Sequence, residues 1–170
     1  MKKALIVIDM QNDFIDGALG TPEAQAIVFA VTERVRTAVE NGEKVIFTQD
    51  THHENYLKTS EGKKLPIEHC VKPSHGWALA SSLILYAKDA VVMEKPTFGA
   101  TGLPQQVSDC DEITFTGLCP DICVISNAML LKAFLPETRI CVDSKCCAGV
   151  TPESHNRALE AMKMCHIEIL

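Results

Sequence analysis

Residues 113–124 read ITFTGLCPDICV, and within them the chain changes from one kind of secondary structure to another. The β-branched and aromatic residues at 113–116 favour a strand, whereas residues 121–134 have the pattern of a helix. Cys123 lies in or just before the first helical turn, where free N–H groups and the helix macrodipole favour a thiolate over a thiol. The stretch is typical of an α/β fold with a nucleophilic cysteine, although a buried structural cysteine fits it as well.

Short apolar runs alternate with amphipathic segments along the rest of the chain. The predicted strands are residues 4–8, 44–48, 90–93, 113–116, 139–142 and 167–170. The predicted helices are residues 22–41, 77–87, 103–107, 121–134 and 152–164. Continuously apolar strands separated by helices indicate a parallel sheet covered on both faces. The sequence therefore predicts a three-layer, Rossmann-like α/β/α fold with a six-stranded parallel sheet, formed by residues 1–170 as one domain.

Composition and charge narrow the class of protein. The 170 residues are 46% hydrophobic and 22% charged, as in ordinary globular proteins, and the formal charge is -6. This charge argues against nucleic acid or an anionic membrane as a partner, and no segment reads as a signal peptide or a membrane span. The eight cysteines are not spaced as in a disulfide scaffold or a zinc finger. We therefore expect free thiols and a cytoplasmic protein.

Chemically active residues lie at the predicted strand ends. The carboxyl ends of parallel strands meet at one edge of a sheet, and ligands bind in the crevice there. Asp9, Asp50 and Lys95 follow the first three strands, and the fourth strand leads into Cys123. An acid, a cation and a nucleophile are therefore expected at one edge. Asp9 could instead stabilise a turn, and Lys95 could be a solvated lysine.

The polar segment of residues 50–74 is long for a loop in such a fold, and long loops are often functional. Asp50, His52 and His69 offer the three protein ligands of an open metal site of the zinc type. A hydrophilic loop with solvated histidines is the alternative. His53 and His75 have no such pattern and are expected at the surface, and His155 is expected to pack or cap a helix.

Six short motifs in a fixed order identify a family that the chain resembles. They are LIVIDMQNDF at 5–14, DTH at 50–52, LPIEHC at 65–70, EK at 94–95 followed by Phe98, GLCPDICV at 117–124, and VD at 142–143 followed by His155. In this order and spacing, over essentially the full length, the chain resembles the isochorismatase-like cysteine hydrolases. Within them it is most similar to the nicotinamidase-related amidohydrolases.

The resemblance implies a role for particular residues. It implies a catalytic triad of Asp9, Lys95 and Cys123, and metal ligation by Asp50, His52 and His69. It also implies an oxyanion hole formed by the backbone N–H groups of Cys119 and Cys123, and substrate contacts by Phe14 and Phe98. A cis peptide bond would lie between Leu118 and Cys119. The implied cofactor is a divalent metal, zinc by preference. Pro120 departs from the family, which usually has Thr or Ser there.

The implied activity is hydrolysis of a small, nicotinamide-like carboxamide to the acid and ammonia through a thioester on Cys123. One alternative is a metal-free hydrolase of a ureido or carbamoyl compound on the same fold. Another is a non-catalytic ligand-binding module, since fold alone does not determine function. The resemblance also implies a homo-oligomer that acts on a small molecule.

Overall fold

A computed structural model describes residues 1–170, and its six strands form one parallel sheet in the order β3-β2-β1-β4-β5-β6. The strands are β1 (Lys3–Ile8), β2 (Lys44–Asp50), β3 (Val91–Lys95), β4 (Glu112–Leu118), β5 (Arg139–Ala148) and β6 (Glu168–Ile169). The α-helices are α1 (Asn12–Ile15), α2 (Pro22–Glu40), α3 (Ser60–Lys64), α4 (Ile84–Ala87), α5 (Leu103–Val107), α6 (Ile125–Phe134) and α7 (Pro152–Met164).

Each face of the sheet carries its own apolar core. Alternate residues of β1 belong to different cores: Ile6 lies in one and Leu5 in the other. The first core also holds buried side chains of α5, α6 and α7, whereas the second is covered by α2, for example through Val31. Helices on both faces of a parallel sheet make three layers. The three-layer α/β/α fold predicted from the sequence is therefore confirmed.

The helix predicted over residues 77–87 is wrong for most of its length. Only Ile84–Ala87 is α-helical, because the backbone before it pairs with the chain that follows β1. Leu79 forms an antiparallel bridge with Gln11, and the Ala80 N–H donates to the Met10 carbonyl. The Trp77 carbonyl accepts the Gln11 side-chain amide. These tertiary hydrogen bonds replace the helical ones that local apolar spacing had suggested.

Two other segments differ in detail from the prediction. The expected helix over residues 121–134 begins as a π-turn, Pro120–Val124, before α6. The polar segment of residues 50–74 contains a 3-10 turn, Tyr56–Lys58, and the short helix α3. None of the helices in the structure is both long and apolar enough to cross a membrane.

Gly117 brings β4 close to β1 just before the cysteine turn. Its φ of 105° lies in the region that favours glycine, and an added Cβ would stand 2.2 Å from the Ile8 carbonyl oxygen. The peptide bond between Leu118 and Cys119 is cis, at the position that the family resemblance implied. The chain then enters the π-turn at the carboxyl edge of the sheet.

Candidate active site

The structure brings Asp9, Lys95 and Cys123 together at the carboxyl edge of the sheet. Lys95 Nζ lies 2.6 Å from Asp9 Oδ2 and 3.5 Å from Cys123 Sγ. The relative exposure of the three residues is 0%, 1% and 6%. Lysine and aspartate are almost never this buried unless they are paired. The solvated-lysine alternative for Lys95 is therefore excluded.

Asp9 is held in a tight turn immediately after β1. Its backbone has a φ of 48°, which is uncommon for a residue with a side chain. The Thr48 hydroxyl donates to Asp9 Oδ1 at 2.6 Å. Burial raises the pKa of the Asp9 carboxyl, and the Lys95 charge opposes that rise. Asp9 is thus a carboxyl group with increased basicity beside the thiol.

Lys95 ends β3 and contacts two carboxylates rather than one. Its ammonium lies 3.2 Å from Asp50 Oδ1 and donates to the Thr97 carbonyl at 3.2 Å. Burial disfavours the charged amine, but the charges of Asp9, of Cys123 when it is ionised, and of Asp50 outweigh burial and raise the pKa of Lys95 above its ordinary value. Lys95 therefore stays a cation between the thiol and the Asp50 carboxylate.

Cys123 sits in the π-turn that precedes α6, where its surroundings favour the thiol over the thiolate. Burial raises its pKa well above the ordinary value, and the negative Asp9 adds to this more than Lys95 subtracts. This burial disfavours the thiolate that the helix terminus was expected to favour. Lys95 Nζ contacts both Asp9 and the thiol and so holds the two groups beside each other. The arrangement therefore suits proton transfer from Cys123 to Asp9 during attack on a substrate.

Asp50, His52 and His69 come together beside this trio, and Glu61 on α3 joins them. One ligand atom from each residue lies within 4.8 Å of all the others. Glu61 Oε1 is 3.7 Å from His52 Nε2 and 3.6 Å from His69 Nε2. Glu61 was not predicted as a ligand from the sequence. The one sequence feature that indicates it is its position in the long polar segment, between His52 and His69.

These four residues fit a divalent cation with nitrogen and oxygen ligands. Tetrahedral ligands at about 2.0–2.2 Å from zinc stand roughly 3.4 Å apart, close to the separations between Glu61 and the two histidines. His69 Nδ1 contacts the Ile67 carbonyl at 2.8 Å, which fixes the tautomer with a free Nε2. The buried His52 Nε2 has no well-aligned hydrogen-bond partner in the protein.

Asp50 is held in place from both its backbone and its side chain. The Gln11 side chain accepts from the Asp50 N–H at 2.7 Å and donates to the Asp50 carbonyl at 2.9 Å. Burial disfavours the Asp50 carboxylate, but the close contacts of its Oδ2 with His52 Nε2 at 2.8 Å and His69 Nε2 at 3.6 Å, together with the Lys95 charge, hold its pKa well below its usual range. Asp50 is therefore an ionised ligand shared by the candidate metal site and the lysine.

A cavity of about 460 Å³ opens onto Cys123 and the four candidate ligands. The two aromatic side chains implied by the resemblance, Phe14 and Phe98, line it. Its other lining residues are Leu19, Thr59, Ser60, Lys64, Leu65, Pro96, Thr97, Leu118, Cys119 and Ile122. Such a volume, with mostly apolar walls and polar groups converging at one end, is typical of a small-molecule site.

Cys119 lines the cavity beside Cys123, and Pro120 follows it in the chain. The Cys119 carbonyl accepts hydrogen bonds from the N–H groups of Ile122 and Val124, which closes the π-turn around Cys123. Pro120 occupies the first position of this turn. The proline departure from the family pattern is compatible with the turn, because the first helical position needs no N–H donor.

The remaining histidines and the tryptophan lie outside this site. His53 and His75 are exposed, as expected, and His155 is half-buried in the first turn of α7. Trp77 does not line the cavity, and its indole N–H donates to the Thr51 hydroxyl at 3.0 Å. These residues are therefore not part of the candidate active site.

The chain is similar to known proteins over nearly its whole length. A family model described as the isochorismatase domain matches residues 3–170. The nicotinamidase/pyrazinamidase of Mycobacterium tuberculosis is 26% identical over 99% of this chain and 98% of its own length. A pyrazinamidase of Pyrococcus horikoshii, solved in complex with zinc, has a TM-score of 0.88 and 29% identity over 100% of this chain and 99% of its own. An N-carbamoylsarcosine amidase of Thermoplasma acidophilum has a TM-score of 0.83 and 26% identity over 99% and 95% of the two chains.

Proposed function

Because this chain belongs to the isochorismatase domain family, we propose that it hydrolyses a small, nicotinamide-like carboxamide through a thioester on Cys123. The protein is a nicotinamidase-related amidohydrolase that acts on amide C–N bonds. The identity of the substrate and the cysteine mechanism are the proposed part. The observation that carries them is the buried set of Asp9, Lys95 and Cys123, of which Cys123 lines a cavity of about 460 Å³.

The proposed reaction begins with proton transfer from the Cys123 thiol to Asp9. Sulfur attacks the carboxamide carbon, and the carbonyl oxygen becomes an oxyanion. The backbone N–H groups of Cys119 and Cys123 are proposed to stabilise it, a contact worth about 3–4 kcal/mol per donor in enzymes where it has been measured. Lys95 compensates the negative charge as it moves from Asp9 to the sulfur during this step.

Collapse of the tetrahedral intermediate breaks the C–N bond. Asp9 returns the proton to the leaving nitrogen, so that ammonia departs and the acyl group remains on Cys123. Asp9 then takes a proton from water, whose oxygen attacks the thioester and releases the acid and the thiol. In each half-reaction Asp9 gains one proton and loses it again, which agrees with a carboxyl pKa that burial raises above its ordinary value.

Asp50, His52, Glu61 and His69 are the residues proposed to hold a divalent ion, with zinc as the preferred candidate. A bound zinc ion supplies Lewis acidity that can orient an electron-rich group of a substrate. The aromatic walls Phe14 and Phe98 would pack against a flat ring and exclude water from the thiol. Together these features favour a planar heteroaromatic amide.

A ureido or carbamoyl compound is the second candidate substrate. It is favoured by the similarity to the N-carbamoylsarcosine amidase, whose fold this chain shares with a TM-score of 0.83. The chemistry at Cys123 would be the same, because a carbamoyl group also presents a carbonyl carbon bonded to nitrogen. A non-catalytic binding module is disfavoured, since binding alone needs no buried thiol beside an acid and a cation.

Ammonia release from a panel of amides tests the proposal and separates the two substrates. Nicotinamide and pyrazinamide represent the first class, and N-carbamoyl amino acids represent the second. We expect the first class to react faster and Cys123→Ala to abolish release without a change in the circular dichroism spectrum. Cys165→Ala is the matched control, because Cys165 lies outside the cavity at the end of α7. Ammonia release retained by Cys123→Ala would refute the cysteine mechanism.

A further inference from the structure

Asn127 is a fully buried polar residue on α6, one turn after Cys123. Its Oδ1 accepts from the Ala100 N–H at 2.8 Å. Its Nδ2 donates to the Phe98 carbonyl at 3.0 Å and to the Cys123 carbonyl at 2.7 Å. Buried polar side chains are normally satisfied, but three hydrogen bonds to the backbone of two separate segments make a specific bridge.

The bridge joins the nucleophile to one wall of the cavity. Residues 96–98 all line the cavity, and they follow Lys95 directly in the chain. Lys95 Nζ donates to the Thr97 carbonyl of this segment, and Asn127 Nδ2 donates to its Phe98 carbonyl. The same amide group of Asn127 holds the backbone of Cys123. Two side chains therefore link Cys123 to this wall: Lys95 contacts the thiol and the Thr97 carbonyl, whereas Asn127 joins the backbone of Cys123 to that of Phe98.

We propose that Asn127 is a positioning residue that fixes the cavity wall at residues 96–100 relative to Cys123, and so sets the angle at which an amide carbonyl meets the thiol. This inference rests on the proposed function, because it assumes attack by Cys123 on a substrate packed against Phe98. Small misplacements of reacting groups cost on the order of 100-fold in rate. Asn127 itself touches neither the substrate nor the reacting atoms.

The neighbouring Ser126 provides a matched contrast. Its hydroxyl donates to the Ile122 carbonyl at 2.6 Å, a bond within one continuous segment of the chain. Removing that bond weakens the start of α6 but leaves the link to residues 96–100 intact. A purely structural effect of losing a side-chain hydrogen bond in this region should therefore appear in Ser126→Ala as well.

The experiment compares Asn127→Ala, Ser126→Ala and the unmodified chain, at a temperature where all are folded by circular dichroism. We expect Asn127→Ala to lose at least about tenfold in kcat/KM for ammonia release. Alkylation of Cys123 by iodoacetamide, which needs no support from the Phe98 wall, should change less than about threefold. Ser126→Ala should match the unmodified chain in both. If Asn127→Ala does not fold, Asn127→Asp keeps the acceptor for Ala100 and removes both donors.

Amide hydrogen exchange at Ala100 is measured on the same proteins and requires no substrate. We expect faster exchange in Asn127→Ala and no change in Ser126→Ala. Unchanged kcat/KM in a folded Asn127 variant, or an equal loss in Ser126→Ala, would overturn the positioning role. If the unmodified chain releases no ammonia from any amide, the proposed function fails. The bridge is rejected separately if amide exchange at Ala100 is the same in Asn127→Ala as in the unmodified chain.

Discussion

Replacing Lys95 with methionine removes the one cation that contacts both buried carboxylates of the site. Lys95 Nζ lies 2.6 Å from Asp9 and 3.2 Å from Asp50, and its relative exposure is 1%. Methionine retains an unbranched side chain of similar length but carries no charge. The substitution therefore tests the ion pairs more than the packing.

The size of the effect follows from burial. Each of the two contacts corresponds to about 5–6 kcal/mol of Coulomb energy at an effective dielectric constant of about 20, most of which offsets the desolvation of the charges. Removing one partner of a buried ion pair costs about 3–5 kcal/mol, because the other charge stays buried and uncompensated. We expect Lys95→Met to lower the free energy of unfolding by about this amount near neutral pH.

The loss should also depend on pH. Burial already raises the pKa of Asp9, and the substitution removes the Lys95 charge that opposes the rise. A carboxyl whose folded pKa exceeds its unfolded value stabilises the fold below the unfolded pKa, and that stability is lost as pH rises through the folded pKa. The deficit of Lys95→Met should therefore be larger at about pH 8 than at about pH 5.

Urea denaturation at these two pH values measures both effects. Lys163→Met is the matched control, because its ion pair with Glu160 is exposed and such pairs contribute only about 0–1 kcal/mol. A loss below about 1 kcal/mol in Lys95→Met, or an equal loss at both pH values, would refute the argument for a compensated buried cation.

Three further predictions concern the metal, the thiol and the cysteine turn. His69→Ala should lower the bound metal measured by elemental analysis at least about tenfold, whereas His75→Ala, outside the cluster, should retain it; equal metal in both would exclude the site. Alkylation of Cys123 by iodoacetamide should increase with pH up to a midpoint above the ordinary thiol pKa, since burial raises that pKa; a midpoint below the ordinary value would contradict this. Gly117→Ala should destabilise the fold by more than about 3 kcal/mol, because its Cβ would stand 2.2 Å from the Ile8 carbonyl oxygen. Gly42→Ala is the control: its Cβ meets no atom within 4 Å, and the positive φ alone should cost about 1 kcal/mol. Equal denaturation midpoints for the two glycine variants would contradict the close approach.

The layered fold could be predicted because buried parallel strands are marked by continuous apolar runs. Strand β1, for example, has five buried residues in succession. The segment of residues 77–87 could not be assigned in the same way. Its apolar spacing resembles a helix, but its backbone hydrogen bonds go to the chain after β1. Pairing between residues far apart in the chain leaves no periodic signal.

The site residues that could be predicted from the sequence are those that lie at the ends of strands. Asp9 follows β1 directly, and Asp50 and Lys95 are the last residues of β2 and β3, so topology alone places them at one edge. Glu61 was missed because it lies on a short helix whose path the strand pattern does not define. Asn127 was missed because a polar residue within a helix shows its burial only in the packed structure.

The central claim is that Cys123 carries the acyl group between two half-reactions. The most direct test is intact-protein mass spectrometry after acid quenching of a reaction with nicotinamide or whichever amide of the panel reacts fastest. The mechanism predicts a mass increase equal to the acyl group, located on the peptide that contains Cys123 and removed by hydroxylamine. An acyl group on another residue would contradict the mechanism. So would product formation without any acylated protein, if Cys123→Ala also turns over the substrate.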